Sequence, residues 1–245
     1  IADILKAEGI ESDFVQVNGE TRTNIKVCEK NGVLTELNEP GPLITEKQVE
    51  ELKDKLLRYA GTGTLFVLSG SIPAGVPEDT YAKIIRMIHE KGAEVLLDAD
   101  GNAFRLGLEA LPDIIKPNCA ELEEYAGMTG GLSEEGIIKT AEEFRKKGIG
   151  TVAVSMGQSG ALFLLGEKRA RCPALPVKVS STVGAGDAMV AGLALARDLQ
   201  LAEEETLRLC MAVSAGAVTT SGTKPPPKEL VEKLKKQVMI LYSDL

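Results

Sequence analysis

Histidine is almost missing from this chain. His89 is the only one among 245 residues, which argues against histidine-based catalysis. It closes an amphipathic pattern just before Lys91-Gly92 and reads as a helix-end residue. Cysteine is sparse too. Cys28, Cys119, Cys172 and Cys210 include no C-x-x-C pair, which argues against zinc or redox chemistry and for reduced, partly buried fillers in a cytoplasmic protein. No run of about 18 apolar residues occurs, so no membrane-spanning helix is expected. Two common nucleotide signatures are absent: there is no G-x-x-x-x-G-K-[ST], and no G-x-G-x-x-G follows a first strand. A nucleotide, if bound, is held in some other way. The net charge of −8 argues against nucleic acid and acidic membranes as partners, without excluding a local basic pocket for phosphates.

What is present reads as one α/β domain with a small β appendage. The apolar fraction is ordinary, so a sizeable core can form. Residues 13–17, 24–28 and 32–37 are strand-like runs separated by Asn18-Gly19 and Asn31-Gly32, both strong hairpin signals. They predict a small antiparallel sheet. Strand and helix patterns then alternate. Helices are expected over 45–59, 77–90, 103–111, 119–126, 133–147, 188–199, 203–219 and 227–240. Short apolar strands are expected over 64–68, 94–97, 113–115, 150–155 and 161–165. This alternation implies a mostly parallel sheet covered on both faces.

The chain is organised around residues 180–189, Ser-Ser-Thr-Val-Gly-Ala-Gly-Asp-Ala-Met. Pro176 and Val177 open an extended run before it, and a helical pattern follows, so a strand, a glycine turn and a helix N-terminus are expected. Such a terminus offers unpaired N–H groups and the positive end of the helix dipole. Gly184 and Gly186 let that backbone approach an anion closely. Asp187 has two readings at this stage. It can cap the helix, or it can accept a hydroxyl proton while the amides hold a moving phosphoryl group.

Thr182-Val183-Gly184-Ala185-Gly186-Asp187 resembles the C-terminal signature of ribokinase-like, phosphofructokinase B-type sugar kinases. The resemblance implies a three-layer α/β/α sandwich with a mostly parallel sheet and a β lid over 13–42, which covers the sugar and pairs with the lid of a second subunit in a homodimer. It implies ATP-dependent phosphorylation of a phosphosugar with Mg²⁺, with Asp187 as the base and Gly184, Ala185 and Gly186 as the anion hole. Lys116-Pro117-Asn118-Cys119-Ala120-Glu121 is similar to the family's N-x-x-E segment, which assigns Lys116 and Asn118 to the nucleotide side and Glu121 to Mg²⁺ through water. The same residues also read as a helix start with a capping-box pair. Ser155, Gly157 and Gly160 fall to the ATP phosphate and ribose region by resemblance, and to a plain hairpin otherwise. Ser71, in the strand-exit turn Ser69-Gly70-Ser71, and Arg22, on the lid, fall to the substrate phosphate, where a guanidinium suits bidentate contact. Ser181, Val183, Ala217, Thr220, Gly222 and Lys224 are similar to a monovalent-cation loop that would hold K⁺. A helix stop at Gly222 and Pro225 accounts for the second half of that set equally well.

Within the family, residues 19–25 and 35–42 look most like the 1-phosphofructokinase branch, and tagatose-6-phosphate kinases look similar over the same stretches. A non-catalytic phosphosugar sensor on the same fold is the alternative from another class. One departure stands out. The family's N-P-A-x-D-like and G-G-K-G-x-N-like sugar-binding segments have no counterpart here, and the chain opens inside a helical pattern without Met. The expectation is therefore an N-terminally incomplete domain that is not fully active as it stands, with apolar surface at Val67, Val95 and Ile115 exposed or paired.

Overall fold

The computed structural model describes residues 1–28 and 34–244. A short helix α1 (Ala2–Ala7) leads into a two-stranded antiparallel hairpin, β1 (Asn24–Cys28) with β2 (Leu34–Asn38). Asn31-Gly32 lies outside the described residues. Residues 13–17 alternate like a strand but are not one, because they find no ladder partner among the described residues. After α2 (Glu46–Tyr59) come β3 (Leu65–Ser69), α3 (Thr80–His89), β4 (Glu94–Asp98), α4 (Gly101–Leu108), β5 (Ile114–Ile115), α5 (Cys119–Ala126), α6 (Glu134–Lys147) and β6 (Thr151–Ser155). The chain then runs through β7 (Ala161–Leu165), β8 (Lys168–Cys172), α7 (Ala185–Asp198), α8 (Glu203–Ala217), α9 (Lys228–Lys235) and β9 (Leu241–Asp244).

Seven strands form one sheet in the order β3-β4-β5-β6-β7-β8-β9. The first four are parallel, and the last three pair antiparallel in succession. Five of the seven strands (β3, β4, β5, β6 and β8) therefore point the same way. Side chains alternate between faces, and each face is covered. Val95, Leu97, Ile115, Val152 and Val154 pack under α3–α6, while Leu96, Ile114, Ala153 and Phe163 pack under α7–α9. The result is the three-layer α/β/α arrangement expected of the pattern. Val95 and Ile115 are completely buried, contrary to the expectation of exposure, because helices cover their face. Val67, on the opposite face of edge strand β3, is 41% exposed.

Local chemistry sets the helix starts. Thr45 closes a capping box with Gln48, and Ser133 Oγ accepts the Gly136 N–H at 3.2 Å. His89 ends α3, with Nε2 2.9 Å from Asp113 Oδ2. The segment before α7 is irregular, so no strand stands at Pro176-Val177. Strands β8 and β9 escape sequence reading. Helix α7 runs back across the sheet. Its first turn lies beside Lys116, past the C-terminal end of β5, and Arg197 in its last turn pairs with Glu94 at the start of β4. The C-terminal ends of β3, β4, β5 and β6 thus share one edge with the N-terminus of α7, where open α/β sheets bind ligands.

Candidate active site

The turn before α7 needs glycine. Gly184 is the N-cap residue with φ of 82°, a conformation that L side chains avoid. Among the described residues, the amides of Gly184, Gly186 and Asp187 find no acceptor, as expected of the orphan donors of a first helical turn. Asp187 sits within that turn, and its carboxylate is exposed and makes no hydrogen bond or ion pair among the described residues. The capping reading of Asp187 therefore falls, because Gly184 holds the cap position. A free carboxylate remains beside a cluster of free donors.

Gly186 serves close approach. A β-carbon there would stand 3.5 Å from Lys116 Nζ, so the Lys116 ammonium faces the same first turn. Lys116 is 4% exposed and is held by Asp98 Oδ1 at 3.2 Å. A buried ammonium held by one carboxylate and facing the free amides of a helix N-terminus aims several donors at one place.

Both readings of the Asn118 segment hold together. Asn118 caps α5, with its Oδ1 accepting the Glu121 N–H at 2.9 Å, while Glu121 Oε2 accepts the Asn118 N–H at 2.9 Å. Asn118 Nδ2 also donates to Glu121 Oε1 at 2.6 Å. Burial pushes the Glu121 carboxyl above its usual range, against the Asn118 backbone bond and Lys116, and with help from Asp98 and Asp100. Both Glu121 oxygens are engaged, and no group of three or more His, Cys, Asp or Glu among the described residues could cage a metal. This donor set fits Mg²⁺ held largely by phosphate and water, with Glu121 behind a water.

Ser155 lies alongside, since its N–H donates to the Pro117 carbonyl at 3.0 Å and it bridges to Asn118. Residues 157–159 form a 3-10 turn between β6 and β7, which is the expected hairpin. The two glycines of this turn differ. Around Gly157 there is open space, whereas a β-carbon on Gly160 would stand 2.1 Å from the Cys172 carbonyl oxygen. Gly160 is thus required by the packing of residues 172–174.

At the end of β3, Gly70 N–H donates to the Asp98 carbonyl at 3.2 Å and Ser69 Oγ donates to Asp98 Oδ2 at 3.2 Å. Ser71 is exposed just beyond. Asp98, Ser69 and Tyr81, whose hydroxyl lies 3.1 and 3.0 Å from the Ser69 and Gly70 carbonyls, were missed by sequence reading. Asp98-Ala99-Asp100 at a strand end was the one available signal. Arg22 is exposed and lays its stem against Gly41. Neither it nor Ser71 makes a hydrogen bond or ion pair with Asp187 among the described residues. The segments around residues 180–184 and 217–224 lie together. Ser180 and Ser181 donate to the Val218 carbonyl at 2.7 and 3.2 Å, Gly184 faces Thr223, and Thr220 Oγ1 lies 2.8 Å from the Ala217 and 2.7 Å from the Lys224 carbonyl oxygen.

A model of the pfkB family carbohydrate kinases matches residues 1–230. The chain belongs to this family. The 1-phosphofructokinase of Rhodobacter capsulatus is 39% identical over 239 residues, covering 96% of this chain and 74% of that protein. The 1-phosphofructokinase of Haemophilus influenzae is 36% identical over 233 residues, covering 95% and 74%. Phosphofructokinase-2 from Escherichia coli, solved in complex with potassium, superposes with a TM-score of 0.88 at 28% identity, over 96% of this chain and 77% of that one. The pfkB assignment accounts for the ribokinase-like layering.

Proposed function

We propose that the protein transfers the γ-phosphoryl group of ATP to a hydroxyl of fructose 1-phosphate, giving fructose 1,6-bisphosphate and ADP. The observation that carries this reading is the free Asp187 carboxylate in the first turn of α7, a turn whose amides are unpaired and whose Gly186 faces the Lys116 ammonium. Asp187 takes the proton of the acceptor hydroxyl. That oxygen bonds to the γ-phosphorus as the bond to the β–γ bridging oxygen breaks, and the electron pair leaves on ADP. The Gly184, Ala185 and Gly186 turn and Lys116 offset charge on the transferring group, where positioning and electrostatics do most of the work. Mg²⁺, when bound, neutralises phosphate charge, and Glu121 with Asn118 would orient its water.

Ser155 and Gly157 serve the ATP side, with Gly160 shaping their turn. Arg22 and Ser71 take the phosphate that the sugar already carries. The Ser181, Val183, Ala217, Thr220 and Gly222 region is the K⁺ site. Carbonyls that already accept one hydrogen bond there keep a second lone pair, and potassium accompanies the Escherichia coli structure.

The lid hairpin turns Ile25, Val27 and Leu37 to one face, all exposed. A lone two-stranded hairpin is marginal in water, which supports pairing with the lid of a second copy in a cytoplasmic homodimer. The choice of sugar is supported by relatives named 1-phosphofructokinase. The test is ADP release by the full-length protein with fructose 1-phosphate, fructose 6-phosphate and tagatose 6-phosphate. A preference for tagatose 6-phosphate would replace the substrate, and phosphosugar binding without turnover would make the protein a sensor.

A further inference from the structure

Two parts of the site meet on one carboxylate. Asp98 ends β4, and its side chain is only 15% exposed. Its Oδ1 holds Lys116 Nζ at 3.2 Å, and its Oδ2 accepts Ser69 Oγ at 3.2 Å. Its own carbonyl accepts the Gly70 N–H at 3.2 Å. Gly70 has φ of 99°, a shape that L residues resist and that glycine takes without strain. Tyr81, in the first turn of α3, holds the same turn from the other side, with its hydroxyl 3.1 and 3.0 Å from the Ser69 and Gly70 carbonyls. Burial, then Asp98 and Asp100, raise the Tyr81 phenol further above its ordinary value, so it stays a donor.

We infer that Asp98 is a positioning residue shared by the two substrates: it aims Lys116 at the α7 N-terminus and, with Tyr81, fixes the Ser69-Gly70-Ser71 turn. The inference rests on the phosphosugar-kinase reading. Its physical basis is rigidity. Lys116 has four rotatable bonds, and a buried carboxylate at 3.2 Å selects one place for its charge. The same carboxylate cannot shift toward Lys116 without loosening Ser69.

The test is a set of variants of the full-length protein, assayed with ATP and fructose 1-phosphate. Tyr81→Phe and Ser69→Ala each remove one hydrogen bond and should raise the phosphosugar KM about 3- to 10-fold, with ATP KM and kcat within about twofold. Asp98→Asn should lower kcat about 10- to 100-fold, the scale of a small misplacement in a site that works by orientation. Lys116→Met should lower it more, and Asp98→Asn/Lys116→Met should be no worse than Lys116→Met, because residues acting through one another are not additive. Effects that multiply in the double variant, an unchanged kcat in Asp98→Asn, or recovery of that variant by raised Mg²⁺ would each overturn the positioning role. If Asp98→Asn does not fold, an unchanged phosphosugar KM in both Tyr81→Phe and Ser69→Ala overturns it instead. A wild-type protein that turns over no phosphosugar refutes the kinase reading separately. Calorimetry with ATP still decides the Lys116 half, where equal affinity in wild type and Asp98→Asn would overturn it.

Discussion

Replacing Gly186 by Ala separates the chemistry of the site from the stability of the fold. The added methyl would stand 3.5 Å from Lys116 Nζ and 3.8 Å from its Cε. Those are ordinary contacts, so nothing in the protein has to move. Gly186 lies inside α7, with φ outside the left-handed region. Alanine is preferred over glycine within helices by about 0.5–1 kcal/mol. For a domain of this size that corresponds to a Tm raised by about 1–4 °C. Activity should move the other way. The methyl occupies the space between the ammonium and the first-turn amides, which is where the transferring group has to sit. Alanine keeps the amide N–H, so the cost is that of displacing the group by about 1 Å, on the order of 100-fold in kcat. The assay is ADP release at saturating ATP and phosphosugar, with a thermal melt of the same sample. A variant with full kcat would refute the anion hole. A variant with a lowered Tm would refute the packing on which the argument rests.

Gly160→Ala should do the reverse. A β-carbon 2.1 Å from the Cys172 carbonyl oxygen, at φ of 94°, overpacks the chain, so stability should fall by at least about 2 kcal/mol, or about 4–8 °C in a melt. Asp187→Asn should keep its Tm, because the carboxylate has no partner to lose, while kcat drops about 100- to 10,000-fold. Arg22→Ala should raise the phosphosugar KM about 10- to 150-fold and leave ATP KM alone, the signature of one charge-assisted contact; equal KM values in mutant and wild type would return Arg22 to the solvent. Glu121→Gln keeps a residue suited to the capping box. Burial raises the Glu121 pKa, so its charged form weighs against the fold above the unfolded value of about 4.3, and increasingly so up to the folded value. Gln removes that penalty. The variant should therefore be more stable than wild type at pH 7, no different near pH 3, and more demanding of Mg²⁺ for turnover. A lower Tm at pH 7 would show that the capping bonds outweigh the desolvation.

Much of the framework was readable along the chain, because it rests on local period and local caps. Helix α5 and strand β7 fall on the expected residues, and Thr45, Asn118 and Ser133 cap as their side chains predict. The glycine turn was readable for the same reason, since Gly184 is where a positive φ is needed. Other features had no local cause. Residues 13–17 alternate correctly yet find no ladder partner among the described residues, whereas the charged run Lys168–Cys172 becomes β8 because β7 and β9 lie on either side. A strand exists only through its partners. Asp187 could not be told from a helix cap until Gly184 proved to hold that position. Asp98, Ser69 and Tyr81 were silent for a related reason: Asp98 reaches Lys116 and Ser69 from separate parallel strands, and no spacing along one strand encodes what stands beside it. Composition, period and turn chemistry determined the layers and the glycine turn before α7. The sheet's side-by-side order alone decided which charges face each other at its edge.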